Sequence, residues 1–464
     1  MEEIFDDEEE EMIPPQTLEK LPVSDAKLPP VIREIVSNAP PSRKVACFIA
    51  SVAPLCALAT RVRLAYPYDP PTRKSALLLQ VIIEGSQSVG KSFCADIERL
   101  ITDKTLKVRD KEQRRMEQEY REKKKRRKAN EKLDEEPKTT VRVIPPTISK
   151  TVLSRRSDLF ERVYGEGNTL TFWMFAEELA MMTDAGKQGY SNLRTIMRTA
   201  YDLGSLFGMD FASDNSYSSI SDINICALFA TTPSALDDYM DKKAIEGGNV
   251  TRIIRYELCD ELGADGAMFK TYTPEQLASI DRTLQKMMAD TYDKEGGLQP
   301  EICLDMSWMD QKVRQWCQRK GHEASLSGSV ALDVFRKRSS VSAYRVAALC
   351  YYLYGLEGLD ETKARKRCQQ IYLFMSEFII FSLLSRWGKK FEELNGKRFE
   401  EQKKQPPKGI FQQLDAEFSR DLLKQLVKQN ELTTPYRHFL SSWLKAGDIE
   451  AIDKDHFRKK NLNS

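Results

Sequence analysis

Apolar side chains fall into short unbroken runs in the first half of the chain and recur every third or fourth residue in the second. Ala76-Leu77-Leu78-Leu79 with Val81-Ile82-Ile83, Thr139 to Ile144, Leu170 to Phe175 and Ile223 to Ala230 are six to eight residues long and read as buried strands. Between them the period lengthens. Phe93, Ile97 and Leu100 recur on one face of a helix over Lys91 to Leu100, and another helix follows Ser149. Ahead of the first strand, Ile32, Ile35 and Val36, then Val45, Phe48, Ile49, Val52 and Leu55, make Val31 to Thr60 helical on both sides of a break at Pro40-Pro41. From Thr273 onward the pattern is almost wholly helical, strongest at Tyr344 to Leu353 and Ile371 to Leu384. Strands alternating with helices predict an α/β core with a mostly parallel sheet, followed by a separate helical domain.

Charged stretches divide this pattern. Glu2-Glu3 and Asp6 to Glu11 form an acidic tail with too little apolar surface to fold, so disorder is expected over 1–30. Residues 102–140 are an almost wholly charged insertion carrying Arg114-Arg115 and Lys123-Lys124-Lys125-Arg126-Arg127-Lys128, expected to project as a solvated helix or hairpin arm. Such a basic run is either a solvated face or a phosphate-tracking arm, with nuclear targeting a third reading. Beyond the polar linker Glu400 to Lys408, the order helix, helix, strand, turn, strand suggests a small winged-helix module over 410–464. Its nine Lys and Arg against eight Asp and Glu leave DNA contact and protein docking equally open. The resulting map is a tail (1–30), a helical lead (31–74), a core (75–262), a helical domain (263–400) and the module (410–464).

The 464 residues suffice for two or three domains, and a formal net charge of +2 gives no bulk pull toward a polyanion. Nine scattered cysteines without a C-x-x-C pair, and no legible secretory signal, fit a reducing cytoplasm. The apolar stretch Val45 to Thr60 is short for a bilayer and contains Pro54, so no membrane association is expected. Three histidines far apart (His322, His438, His456) argue against a zinc site or a histidine-based nucleophile.

Chemistry enters at Gly85-Ser86-Gln87-Ser88-Val89-Gly90-Lys91-Ser92, which fits G-x-x-x-x-G-K-[ST] at every fixed position, between a buried strand and a helix. Gly85 and Gly90 permit positive φ and close backbone approach, so N–H groups can converge on a β-phosphate at the helix N-terminus. Lys91 would reach β/γ oxygens and Ser92 would hold Mg²⁺, making ATP with Mg²⁺ the expected ligand. Such a loop needs carboxylates near it. Glu177-Glu178, at the end of the strand Leu170 to Phe175, take those roles: Glu177 on the metal side, although longer than the usual Asp, and Glu178 polarising water. The alternative is a Glu pair opening a helix over Glu177 to Met182, where carboxylates suit the dipole. Thr231 or Thr232, after the strand Ile223 to Ala230, would sense the γ-phosphate, or else form a plain turn with Pro233. Past Gly247-Gly248, Arg252 is the first candidate for an arginine acting on a neighbouring subunit's nucleotide and Arg255 the second, which implies a homo-oligomer. Both could instead be the rim of a strand through Ile253-Ile254.

With these residues in place, the chain resembles a domain-of-unknown-function family of P-loop ATPases from phages, prophages and bacterial conjugative or integrative mobile elements. The likeness covers most of 28–400 and rests on Leu28-Pro29-Pro30, the G-S-Q-S-V-G-K-S loop, the charged insertion, Ile144-Pro145-Pro146-Thr147-Ile148-Ser149, the A-E-E-L strand end and G-G-N-V-T-R-I-I-R. The resemblance implies a RecA/AAA-like P-loop NTPase core and a helicase-like, primase-associated role in mobile-element DNA replication, with single-stranded or forked DNA and a primase or VirE-like protein as partners. The residues alone imply only a nucleotide hydrolase. Two functions follow as expectations, an oligomeric DNA-stimulated motor or an ATP-dependent switch or loader that assembles with a replication protein. A third is a structural protein whose loop no longer hydrolyses.

Overall fold

The computed structural model describes residues 19–70, 72–126, 135–182, 193–209, 218–259, 263, 266–402, 410–429 and 436–460. The acidic residues up to 18, and Arg127-Lys128 of the basic run, lie outside the described residues. The chain divides into two compact units, one of residues 1–317 with 334–389 and one of 318–333 with 390–464.

The first unit is mixed α/β. Five strands, β1 (Gln80–Gly85), β2 (Val143–Ile144), β3 (Thr171–Ala176), β4 (Asn224–Thr231) and β5 (Ile253–Leu258), form one sheet in the order β2-β3-β4-β1-β5. Every neighbouring pair is parallel. All six residues of β1 and all eight of β4 are buried, as expected of central strands covered on both faces. One cover is the helix Lys44–Leu58, apolar on all sides, buried at every residue after Lys44 and packed on β1, β3, β4 and β5. Pro41–Leu58 is long and apolar enough to cross a membrane, as is Glu361–Asn395, but here 83% of the first and 61% of an apolar 18-residue window of the second is buried within the protein.

Several expectations change. The run Ala76 to Ile83 is not one strand. Ser75–Ala76 pairs with Val62–Leu64 in a separate small sheet, and Leu77 to Leu79 is a buried link into β1. Of Thr139 to Ile144 only the last two residues are strand, because Arg142 turns its wholly buried guanidinium inward onto the carbonyls of Ala57 and Thr171 (2.9 Å). The charged insertion is not a free arm. Its helix, Leu106–Arg126, is tied to β2 by Asp110, which accepts the N–H groups of Arg142 (3.0 Å) and Val143 (2.5 Å), and by Arg114, which donates to Val143 O (2.7 Å). Glu117 adds an ion pair to Arg156 at 3.1 Å, and only beyond it is the helix almost wholly exposed. A two-stranded antiparallel ribbon, Leu206–Met209 with Ser219–Asp222, precedes β4 and has no counterpart in the sequence reading. Nor does the helical region form a domain of its own. The helices Pro274–Ala289 and Glu361–Leu383, and most of Val330–Leu356, belong to the same compact unit as the sheet.

In the second unit, a three-stranded antiparallel sheet of Glu417–Ser419, Ile449–Ala451 and His456–Lys459 accompanies the helices Arg420–Gln429 and Tyr436–Ala446. Its core is Leu414, Phe418, Leu423, Phe439, Ile449 and Phe457, together with Ile410 and Leu440. The first of those strands and the short helix Ile410–Gln413 were not expected from the sequence.

Candidate functional site

The glycine loop follows β1 directly and ends at the helix Phe93–Thr102. Ser88 (φ +63°) and Gly90 (φ +82°) take the left-handed backbone that folds the loop over itself. A Cβ at Gly85 would stand 2.6 Å from Val89 Cγ1, so the tight first turn requires glycine. Val89 is buried and its carbonyl accepts from Arg43 Nη2 at 3.1 Å, an anchor from beneath by a side chain only 4% exposed. Ser86, Gln87, Ser88 and Ser92 face solvent. Lys91 folds back, its ammonium donating to Gly85 O (2.8 Å) and Ser86 O (2.6 Å). The result is a polar surface cradle above a buried anchor.

The helix after the loop is fixed by Glu98. This carboxylate, 3% exposed, accepts from Trp173 Nε1 (3.1 Å) on β3 and Thr102 Oγ1 (2.8 Å), and pairs with Lys107 (2.7 Å). The loop helix and β3 are thereby tied together. Ala176, the last residue of β3, pairs with Phe229 of β4, and Thr231 of β4 pairs with Glu84 of β1. Glu177 and Glu178 follow directly where β3 ends, at the same end of the parallel sheet as the loop that follows β1. Two strand spacings, about 10 Å, separate their strand from β1. Both carboxylates are exposed, and neither makes an ion pair among the described residues. They stand in the connection after the strand, just ahead of a helix that begins at Ala180, with Glu178 O accepting from Met181 N at 3.3 Å, so their place also fits the alternative of a Glu pair at a helix opening.

Thr231 is fully buried and its hydroxyl donates to Thr232 O at 3.2 Å, which withdraws it from the surface. Thr232 is half-buried and caps the helix Pro233–Tyr239, accepting from Ala235 N at 3.4 Å. Of the two threonines expected to sense phosphate, only Thr232 therefore keeps its hydroxyl at the surface.

The arginines separate. Arg255 lies under the loop strand and is 2% exposed, ion-paired to Glu84 and, at 2.6 Å, to Glu257. So buried, it cannot reach a neighbouring subunit, which removes it as the second candidate. Arg252 stands at the start of β5, opposite the end that adjoins Gly85, six residues or about 20 Å from its own loop. It is half-buried, its Nη1 donates to Gly248 O at 3.0 Å, and burial with neighbouring Arg338 lowers its pKa.

A second arginine under the loop has no signal in the sequence. Arg386, in the π-turn Leu384–Gly388, reaches Glu84 at 3.2 Å and Asp237 at 2.9 Å. Glu84, one residue before the loop, is thus held by two guanidiniums from different elements. Among the described residues no group of three or more His, Cys, Asp or Glu could hold a metal. No protein-family model and no curated protein matches the chain.

Proposed function

We propose that this chain binds and hydrolyses ATP through a P-loop core of the RecA/AAA-like kind. The observation that carries the reading is the shared edge: strand order and register bring the loop 85–92, Glu177-Glu178 and Thr231-Thr232 to the same ends of β1, β3 and β4. The cradle also fits the ligand, with positive φ at Ser88 and Gly90 and no room for a Cβ at Gly85. Loop N–H groups and the Lys91 ammonium would hold the β- and γ-phosphates, Lys91 leaving the carbonyls of Gly85 and Ser86 to do so. Ser92 and Glu177 would hold Mg²⁺. Glu178 orients a water toward the terminal phosphate and takes its proton. ATP supplies the phosphoanhydride that is cleaved.

We further propose that hydrolysis is coupled to DNA, as in a helicase-like motor of mobile-element or phage replication. The support is the exposed final turn Lys123-Lys124-Lys125-Arg126, the basic end of a helix that runs from the edge strand β2. The near-balanced charge of residues 410–464 favours a second reading, in which that module, taken as a winged helix, docks a replication protein and the ATPase acts as a switch or loader. ATP turnover by the full chain at low salt, with and without single-stranded DNA and with Lys91→Ala as blank, separates them. DNA-stimulated turnover supports the motor. DNA-indifferent turnover supports the switch. No turnover above the blank refutes both.

A further inference from the structure

At the opposite end of the sheet from the glycine loop, three arginines gather on one tyrosine and a fourth stands beside them. The guanidinium carbons of Arg345, Arg252 and Arg338 lie 4.2, 5.9 and 5.9 Å from the ring centroid of Tyr201, and Arg198 is close enough to Arg252 to depress its pKa. Among the described residues one carboxylate, Asp202, pairs with the group, to Arg338 at 3.3 Å and Arg345 at 3.5 Å. Three partly or wholly buried guanidiniums on one ring, with Arg198 beside Arg252, therefore share one carboxylate, an arrangement that is costly unless an anion completes it.

Two observations point to such an anion. The Nε of Arg252 is buried with no hydrogen-bond partner. The backbone beside it is also cut back. A Cβ at Gly247 would fall 2.8 Å from Arg198 Nη1 and one at Gly248 (φ +80°) 3.2 Å from Arg252 Nη1, so the glycine pair makes room for both arginines. Each donates once to that turn, Arg198 to Gly247 O (2.7 Å) and Arg252 to Gly248 O (3.0 Å), leaving further N–H groups of each fork for a ligand. Arg345, 3% exposed and bonded to the carbonyls of Leu78 and Tyr201, both at 2.9 Å, is the fixed floor.

We infer that Arg198, Arg252 and Arg338 form a second anion site, separate from the glycine loop, that takes a terminal phosphate or polyphosphate. Several forks around one point more than neutralise the single charge of a phosphodiester and suit the higher charge of a terminal phosphoryl group. About 20 Å of sheet rules out the chain's own loop nucleotide. The phosphate comes from a soluble ligand or from the nucleotide on a second copy of this chain. The second source rests on the ATPase reading, and the first does not.

The test is calorimetric titration of full-length Lys91→Ala protein with tripolyphosphate at low salt. Binding at about one site per chain is expected, weakened about tenfold or more by Arg338→Gln and by Arg198→Gln, each with an unchanged melting temperature. Arg338→Lys, which keeps the charge and loses the fork, should weaken it less than Arg338→Gln. No binding, or binding that ignores both glutamine substitutions, overturns the inference. Mixing Lys91→Ala with Arg338→Gln chains then identifies the source. Turnover above the sum of the two assigns the phosphate to a second copy's nucleotide, and arginine-dependent binding without regained turnover assigns it to a soluble ligand. Nucleotide binding by the parent that Lys91→Ala leaves unchanged would refute the loop reading alone.

Discussion

Replacing Glu84 and Arg255 together should do less harm than the sum of the two single replacements. The pair is 2% exposed on each side and lies one residue below the glycine loop. Removing one partner from a buried pair costs about 3 to 5 kcal/mol, because the other charge is stranded, whereas exchanging both for apolar or neutral groups of similar size is often near neutral. Here each partner keeps a reserve. After Arg255→Met, Glu84 retains Arg386 at 3.2 Å, and after Glu84→Gln, Arg255 retains Glu257 at 2.6 Å and Ser382 Oγ at 3.4 Å. Glu257 is half exposed, so its attraction is screened. Each single substitution should therefore fall at the low end, about 3 kcal/mol, and the double Glu84→Gln/Arg255→Met should cost about 2 kcal/mol less than their sum. Thermal and urea unfolding of the four proteins, followed by tryptophan fluorescence, gives the cycle. Strictly additive losses, or singles below about 1 kcal/mol, would refute the claim that the two charges stabilise the strand by pairing with each other.

Lys91→Ala should weaken nucleotide binding at least tenfold in a fluorescent-nucleotide titration while leaving the melting temperature unchanged, since its two bonds go only to loop carbonyls. Gly85→Ala should destabilise by about 1 to 3 kcal/mol in urea unfolding, because the new methyl meets Val89 Cγ1 at 2.6 Å; a neutral result would mean that the loop has room to shift. Glu178→Gln should lower ATP turnover at least about a hundredfold with nucleotide affinity retained, and equal losses in both would remove it as the water-orienting base. Burial raises the Asp110 carboxyl above its usual 3.8, against the N–H groups of Val143 and Arg142. Its folded-state value is the higher one, so the stability it lends is full below about 3.8 and lost as pH rises through the folded value. Asp110→Asn should flatten that fall in melting temperatures taken over about pH 4 to 7.

What could be read from the chain and what could not differ by a physical criterion, contiguity. The loop 85–92 was legible because all its chemistry lies within eight successive residues, and Glu177-Glu178 because a strand end sits one residue away. β5 entered the sequence reading only as an alternative, a strand through Ile253-Ile254, because Ile253-Ile254-Arg255-Tyr256-Glu257-Leu258 carries two charges, of which the buried Arg255 is tolerated because it finds Glu84, 171 residues earlier in the chain. Arg386 meets the same carboxylate from 302 residues away, and Asp110 satisfies backbone N–H groups 32 and 33 residues further on. A buried charge is satisfied by a partner whose position topology alone decides, and such pairing has no period for a sequence window to detect. The charged insertion shows the consequence. Its composition spoke for a solvated arm, yet the carboxylates Asp110 and Glu117 fasten its first half to β2 and Arg156, and only beyond Glu117 is the described helix almost wholly exposed, as composition foretold. The cluster at Tyr201 follows the same rule from the other side. Its four arginines come from three separated places in the sequence, Arg198, Arg252 and the helix that carries Arg338 and Arg345, so positive charge concentrates locally in a chain whose net charge is only +2. Bulk charge therefore carries little weight against a polyphosphate ligand, because the cluster presents its own local field.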